Sequence, residues 1–443
     1  MKVFKNGFYL FVVFGILLTA LSLNSAAQPP QPLAAKLDRD RGQEMLKLIK
    51  MDLKKNYYDT NLRGMDLEAR FKAASEKIDQ ATSNGHIMGI IAQVLFELDD
   101  SHTRFIPPPR AARTEYGWTM QLVGDKTFVT AVKPGSDAEK KGLKVGDEIW
   151  SIDGFAPLRD NIWKIKYFYY SLRPQPGMKL VVKRPSGKEE EIIVMAKITT
   201  GKKVMDLTGN DVWDLIRQEE SEDYLRRHRY GALGEEVFVW KMPQFDMTEA
   251  QVDDMMDKVK KYPSLILDLR GNGGGAVRTL NRLVGHFFDR DVKIADWKGR
   301  KEFDPQIAKT RGEKFYKGKV VVLVDSESGS ASEIFARVMQ LEKRAVVLGD
   351  RSAGAVMVSR YYPRQIGLDV VAFFGSSITE ADLIMTDGKS LEKIGVVPDE
   401  TVLPSAEDIA AGKDTVLARA AALLGAKLDA SEAGKMFPFE WGK

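Results

Sequence analysis

The chain has 443 residues, 44% hydrophobic and 29% charged, a balance that excludes both a disordered polymer and a polytopic membrane protein. Its 66 basic and 62 acidic side chains leave a formal charge of +4, too small an excess to hold a phosphate backbone, so nucleic acid is not an expected partner. The absence of cysteine excludes disulfides, thiolate metal sites, a cysteine nucleophile and a lipid-bearing cysteine.

Lys2 and Lys5 precede an apolar run from Phe8 to Leu23, and Ser25-Ala26-Ala27 then supplies the small residues a signal peptidase requires. The pattern predicts a signal peptide over 1–27 and a Pro-rich spacer over 28–35. It implies export to a periplasm, with no stable membrane insertion once the signal is cut; an uncleaved anchor is the alternative. Residues 36–114 are expected to form an N-terminal helical domain. Apolar side chains recur there at helical spacing: Met45, Ile49, Leu53; Leu67, Phe71, Ala74, Ile78; and Ile87, Ile91, Val94, Leu98. Pro107, Pro108 and Pro109 stop that pattern and leave Ser101 and His102 on a loop.

Residues 115–198 change to short strands and turns, 199–234 read as a linker, and 235–425 alternate strands with helices in the manner of an α/β domain, followed by a C-terminal tail over 426–443. Buried strands are predicted at Val237–Met242, Ser264–Arg270, Lys319–Asp325 and Ala345–Gly349, and Thr248 opens a helix carrying Val252, Met255, Met256 and Val259. Two loops leave the carboxyl ends of these strands, where open α/β sheets place their sites. In Arg270-Gly271-Asn272-Gly273-Gly274-Gly275, consecutive glycines let backbone N–H groups turn toward an anion. Gly271, Gly273 and Ala276, with Asp289 beyond them, also match a loose dinucleotide fingerprint, a weak signal that an exported chain makes weaker. The second loop, Ser330-Ala331-Ser332-Glu333, would hold a hydroxyl at the positive end of a helix; the same residues fit a capping box that needs no chemistry.

The run from Thr127 to Gly154 resembles a PDZ domain, through Gly142-Leu143, Gly146-Asp147-Glu148-Ile149 and Ile152-Asp153-Gly154. That resemblance implies a PDZ domain over 115–198 that accepts an extended peptide as an added strand and holds its terminal carboxylate at Tyr116, Gly117, Trp118 and Thr119. A structural β-module that binds nothing is the alternative.

Read in order, LDDSHT, the PDZ-like run, VFVWKMPQF, LILDLRGNGGG, VLVDSESGSASEIFARVMQ, RAVVLGDRSAG and LEKIGVVPD resemble the C-terminal processing (tail-specific) peptidases and tricorn core proteases over about residues 36–425. The resemblance implies an α/β core with a ClpP/crotonase-like sheet, an inserted PDZ β-domain and an N-terminal helical cap. Bacterial tail-specific proteases pair the serine with a lysine 25 positions later, but here Ala355 stands at that place. Tricorn-like relatives instead use a Ser-His pair ahead of the PDZ domain and a downstream glutamate, matched by Ser101, His102 and Glu392. The implied chemistry has Ser330 as nucleophile and His102, with an ordinary pKa of about 6.5, as general base. Glu392 would orient the imidazole directly or through Ser101, and the N–H groups of Gly273 or Gly274 and of Ala331 would bind the oxyanion, with no metal or other cofactor. The expected activity is that of an exported serine endopeptidase acting on unfolded or C-terminally exposed polypeptides, with oligomerisation left open. A catalytically silent PDZ-bearing scaffold, in which the missing lysine marks a dead enzyme and Ser330 is only a cap, is the alternative. A PDZ domain between His102 and Ser330 further suggests gating by a substrate's C-terminus.

Overall fold

The computed structural model describes residues 36–110, 112–200, 227–367 and 371–441; the expected signal peptide and spacer, and most of the expected linker, lie outside the described residues. Among the described residues no helix is long and apolar enough to cross a membrane.

The apolar periodicity of the first segment becomes α1 (Lys36–Asn56), α2 (Leu67–Asp79) and α3 (Asn84–Phe96). Asp66 and Ser83 cap α2 and α3 by accepting from Ala69 N–H and His86 N–H, which satisfies donors that a helix start otherwise leaves free. Ile49, Leu53, Ile78, Ile87 and Ile91 are inaccessible, and their cluster continues onto Phe105 of β1 (Arg104–Ile106). The loop carrying Ser101 and His102 therefore leaves a fixed helix and enters a fixed strand.

The next segment comprises β2 (Ala112–Glu115), β3 (Trp118–Val123), β4 (Lys126–Val132), α4 (Asp137–Lys140), β5 (Glu148–Ile152), α5 (Ile162–Tyr167), β6 (Gly177–Lys183), β7 (Glu189–Met195) and β8 (Lys197–Thr200). Strands β3 to β7 form one antiparallel sheet in sequence order, which leaves β3 at an edge, and β2 pairs with β8 as a separate ribbon. Tyr116, Trp118, Met120, Val129, Leu180 and Val182 build the module's own core.

The remainder contains β9 (Arg229–Leu233), β10 (Val237–Lys241), α6 (Glu249–Val259), β11 (Ser264–Asp268), α7 (Val277–Gly285), β12 (Val292–Gly299), β13 (Gln306–Ala308), β14 (Lys319–Val324), α8 (Ala331–Leu341) and β15 (Val346–Gly349). It ends with β16 (Met357–Ile366), β17 (Ala372–Met385), β18 (Glu400–Thr401), α9 (Ala406–Ala410), α10 (Thr415–Leu423) and α11 (Ala430–Met436). Its main sheet runs β18-β15-β14-β11-β10-β9, parallel except for β9. Both faces are covered, which is why these strands read as unbroken apolar runs. Trp240, Leu267, Val322 and Val347 join the cluster built with α6, α7 and α8, while Val239, Ile266, Val321 and Leu348 meet α10 and α11. A second, antiparallel sheet runs β1-β17-β12-β13, with β16 on β17, and so binds the helical segment to the α/β core.

One expectation changes. The segment read as a C-terminal tail contains α11, anchored by the buried Ala433, and Pro438 accepts from Arg229 Nη1 at 2.8 Å. The long β16–β17 hairpin was not foreseen.

Candidate active site

Three loops leave the carboxyl ends of β11, β14 and β15 and interlock. The root of the glycine loop is held by Arg270, which forks onto Asp268 (2.9 and 2.8 Å) and Asp414 (2.8 and 2.7 Å). Burial pushes the Asp268 carboxyl up, but Arg270 and Lys241 overcome it and hold the group below the usual carboxylate range. Asn272, fully buried, donates to Met242 O at 2.8 Å and accepts Gly274 N–H at 2.8 Å. Its carbonyl accepts Gly329 N–H at 2.9 Å and Ser332 Oγ–H at 2.8 Å, which ties the glycine loop to the serine loop.

Ser330 stands at φ 53°, ψ −118°, a backbone conformation that L-residues avoid, at the turn from β14 into α8. Its N–H donates to Ala355 O at 2.8 Å and to Glu333 Oε2 at 3.0 Å, so the capping relation between Ser330 and Glu333 is present. Glu333 does more than cap. Its carboxylate, 0% exposed, also accepts Ser352 Oγ–H at 2.6 Å, Gly354 N–H at 2.7 Å and Ala355 N–H at 2.9 Å. Burial pushes this carboxyl up to about 7, against the pull of those donors. Sequence reasoning missed Glu333 as the knot between the serine loop and the loop after β15, because its partners lie 19 to 22 positions away.

The approach of the glycine loop to Ser330 explains one glycine outright. Gly274 has φ +103°, and a Cβ there would lie 2.6 Å from Ser330 Cβ. Its N–H is already taken by Asn272, which removes Gly274 from the candidate oxyanion donors; among the described residues no hydrogen bond occupies the N–H of Gly273 or Ala331.

His102 arrives from the other side. Asp100 Oδ1 accepts His102 N–H (2.9 Å), Thr103 N–H (2.6 Å) and Thr379 Oγ1–H (2.9 Å), pinning the loop to β17. Ser101 Oγ lies 2.7 Å from His102 Nδ1 and 2.8 Å from Glu392 Oε2, and Glu392 also accepts Ser101 N–H at 2.8 Å and Val356 N–H at 3.0 Å. The Ser101 hydroxyl has one proton, and an ionised carboxylate only accepts. That proton therefore goes to Glu392, Ser101 Oγ accepts from His102 Nδ1–H, and the lone pair of the imidazole is at Nε2. Burial raises the Glu392 carboxyl, opposed by Ser101 and Val356. Burial also pushes His102 down to about 4, well below the 6.5 expected from sequence, with Asp100 acting against the shift and Arg104 adding to it.

Ser330, Ala331, Gly273, Gly274 and His102 line one cavity of about 590 Å³. Ser330 and His102 share this cavity, and among the described residues no direct hydrogen bond joins Ser330 Oγ to the His102 ring; Ser101 and Asp100 hold the histidine loop through their own bonds. Among the described residues no group of His, Asp or Glu is arranged to hold a metal ion.

The predicted peptide-docking loop lies apart from this cavity. The side chains of Tyr116 and Trp118 are buried in the module's core, Thr119 Oγ1 meets Thr130 Oγ1 at 2.9 Å, and Gly117 turns at φ +73°. Any peptide contact there falls to the backbone. The far end of β3 is joined to the core: Gln121 donates to Asp325, whose Oδ1 accepts Gly271 N–H at 2.9 Å, and Gly124 N–H reaches Asp350 Oδ2 at 2.9 Å beside Arg159 at 3.1 Å.

Within the α/β core, residues 237–402 match the model of Peptidase family S41. The chloroplastic carboxyl-terminal-processing peptidase 1 of Arabidopsis thaliana is 25% identical over 334 residues, which cover 72% of this chain and 63% of that protein. The tail-specific protease of Haemophilus influenzae is 26% identical over 308 residues, covering 65% of this chain and 41% of that protein. The chain thus spans less than two thirds of the length of either relative. The crystal structure of mature CPAF superposes with a TM-score of 0.62 over 85% of this chain and 95% of that one; at 15% identity the likeness is one of fold.

Proposed function

We propose that this protein is an exported serine endopeptidase that cleaves unfolded or C-terminally exposed polypeptides. Ser330 attacks the scissile carbonyl while His102 Nε2 takes its proton, and the imidazolium later gives that proton to the leaving amine. Glu392 and Ser101 are positioning residues: they fix the tautomer and balance the charge that appears on the imidazole. The N–H groups of Gly273 and Ala331 receive the oxyanion, a contribution of about 3 kcal/mol per donor in other serine hydrolases. The reading is carried by the Glu392–Ser101–His102 chain, which leaves a basic nitrogen on the histidine that shares a cavity with Ser330. Ser330 and His102 need a further approach on substrate binding, as is common between free and loaded enzymes. The strained backbone at Ser330 fits a nucleophile held up at a strand-to-helix turn.

In this reading the β3–β7 module is a PDZ domain that takes a substrate C-terminus along the free edge of β3, near Gly117. The Gln121–Asp325–Gly271 contact supplies a route from that edge to the glycine loop. The first segment acts as a helical cap, and export rests on the residues before Gln28.

The test is labelling by a serine-directed phosphonate. The native chain is expected to react, and Ser330→Ala and His102→Ala to lose the label and the cleavage of an unfolded protein. A native chain that takes no label under conditions where it is folded refutes the proposal.

A further inference from the structure

The cavity in front of Ser330 has an uneven chemistry. Leu280, Trp297, Ile334, Met357 and Leu383 form an apolar wall; among the described residues no Asp, Glu, Lys or Arg lines the cavity, and His102 is its sole titratable side chain. Besides Ser330 and His102, its polar side chains are Gln244 and Ser359, both half-buried, and Gln306 of β13, which is buried at 6% exposed. Trp297 Nε1–H donates to Gln306 Oε1 at 3.0 Å, and Gln306 Nε2 donates to Asn281 Oδ1 at 2.6 Å. An indole nitrogen only donates, so the amide's orientation is set: its oxygen belongs to Trp297 and its nitrogen to Asn281.

Resting on the proposed function above, we infer that Gln306 is a specificity-determining residue that restricts the substrate side chain beside the scissile carbonyl to neutral, apolar types. A cation or carboxylate entering this space would leave water and meet no counter-charge, whereas leucine or methionine would exchange water for the apolar wall. Gln306 holds Trp297 in that wall without offering a charge of its own.

Gln306→Glu changes the charge at this point with little change of shape. The new carboxylate still accepts from Trp297, and Asn281 can turn its own amide to donate where it had accepted. The experiment measures kcat/KM for matched peptides differing only in Leu, Lys or Asp at the position before the cut, alongside phosphonate labelling of Ser330. The native enzyme is expected to prefer Leu over Lys and over Asp by at least about 100-fold, because an unpaired buried charge is that unfavourable. In Gln306→Glu the Lys-to-Leu ratio should rise at least about tenfold, more at pH 9 than at pH 6 as the buried carboxyl ionises, with no gain for Asp. Ser359→Asp, at the half-buried rim of the same cavity, should move the ratio the same way, and carries the test if the Gln306 variant melts far below the native chain. A native enzyme that takes Lys as readily as Leu overturns the inference, as does an unchanged ratio in a folded variant that still labels at Ser330. Absence of Ser330 labelling in the native chain overturns the peptidase reading and this inference with it.

Discussion

Gly273 and Gly274 are adjacent, yet the structure assigns them different tolerances for one methyl group. At Gly274 an alanine must hold φ near +103°, and its Cβ would lie 2.6 Å from Ser330 Cβ and 3.0 Å from both Ala331 N and Gly329 O. The backbone conformation costs about 1–2 kcal/mol and the overpacking about 1–3 kcal/mol more, so Gly274→Ala is expected to lose roughly 2–5 kcal/mol. That corresponds to a fall in Tm of roughly 5–15 °C. Labelling of Ser330 should slow by about 100-fold or more, because relief of the clash displaces the hydroxyl of the proposed nucleophile. At Gly273 an added Cβ meets no atom within 4 Å, and stability should stay within about 0.5 kcal/mol of native. Thermal melts and labelling rates on both variants check the contrast. Equal losses of Tm at the two positions would refute the assignment of Gly274 to the crowded side of the loop.

The pH dependence carries a second prediction. With His102 lowered from 6.5 to about 4, the folded chain binds fewer protons than the unfolded one between these values; the stability linked to this group is complete above about 6.5 and is lost as pH falls through about 4. Labelling should therefore rise with pH around 4 and be flat near 6.5, and a midpoint at 6.5 would count against a desolvated base. Glu333 behaves oppositely: with its carboxyl raised to about 7, its contribution is fullest below 4.5 and declines as pH rises through about 7. Glu333→Gln leaves two buried donors without an acceptor whichever way the amide faces, at a cost of about 2–5 kcal/mol, and should erase that alkaline decline in Tm. Ser330→Gly should abolish labelling yet raise stability by about 1 kcal/mol, read as a higher Tm, since glycine accepts φ 53° without strain.

The central strands were legible because both faces of β10, β11, β14 and β15 are covered, so each is an uninterrupted apolar run. Thr248 was legible as a helix start because its cap is local. The β16–β17 hairpin was not, because it leaves Tyr361 and Phe373 exposed and its burial follows a sheet assembled from distant segments. The histidine loop shows the same limit. Ser101 and Glu392 are 291 positions apart and Asp100 meets Thr379 across 279, so neither spacing nor periodicity carries their contact; the link to Glu392 came from motif resemblance alone. The lowered pKa of His102 likewise depends on what the fold packs around the ring, which no local pattern records.

The left-handed turn at Ser330 also narrows what evolution or a designer can place there. A β-branched side chain is poorly accommodated at φ 53°, so threonine, which serves as nucleophile on other scaffolds, is disfavoured at this position on steric grounds before its reactivity is considered. Cysteine, unbranched at Cβ, remains open. For the nucleophile proposed above, the route to a different chemistry therefore runs through sulfur rather than through a secondary alcohol.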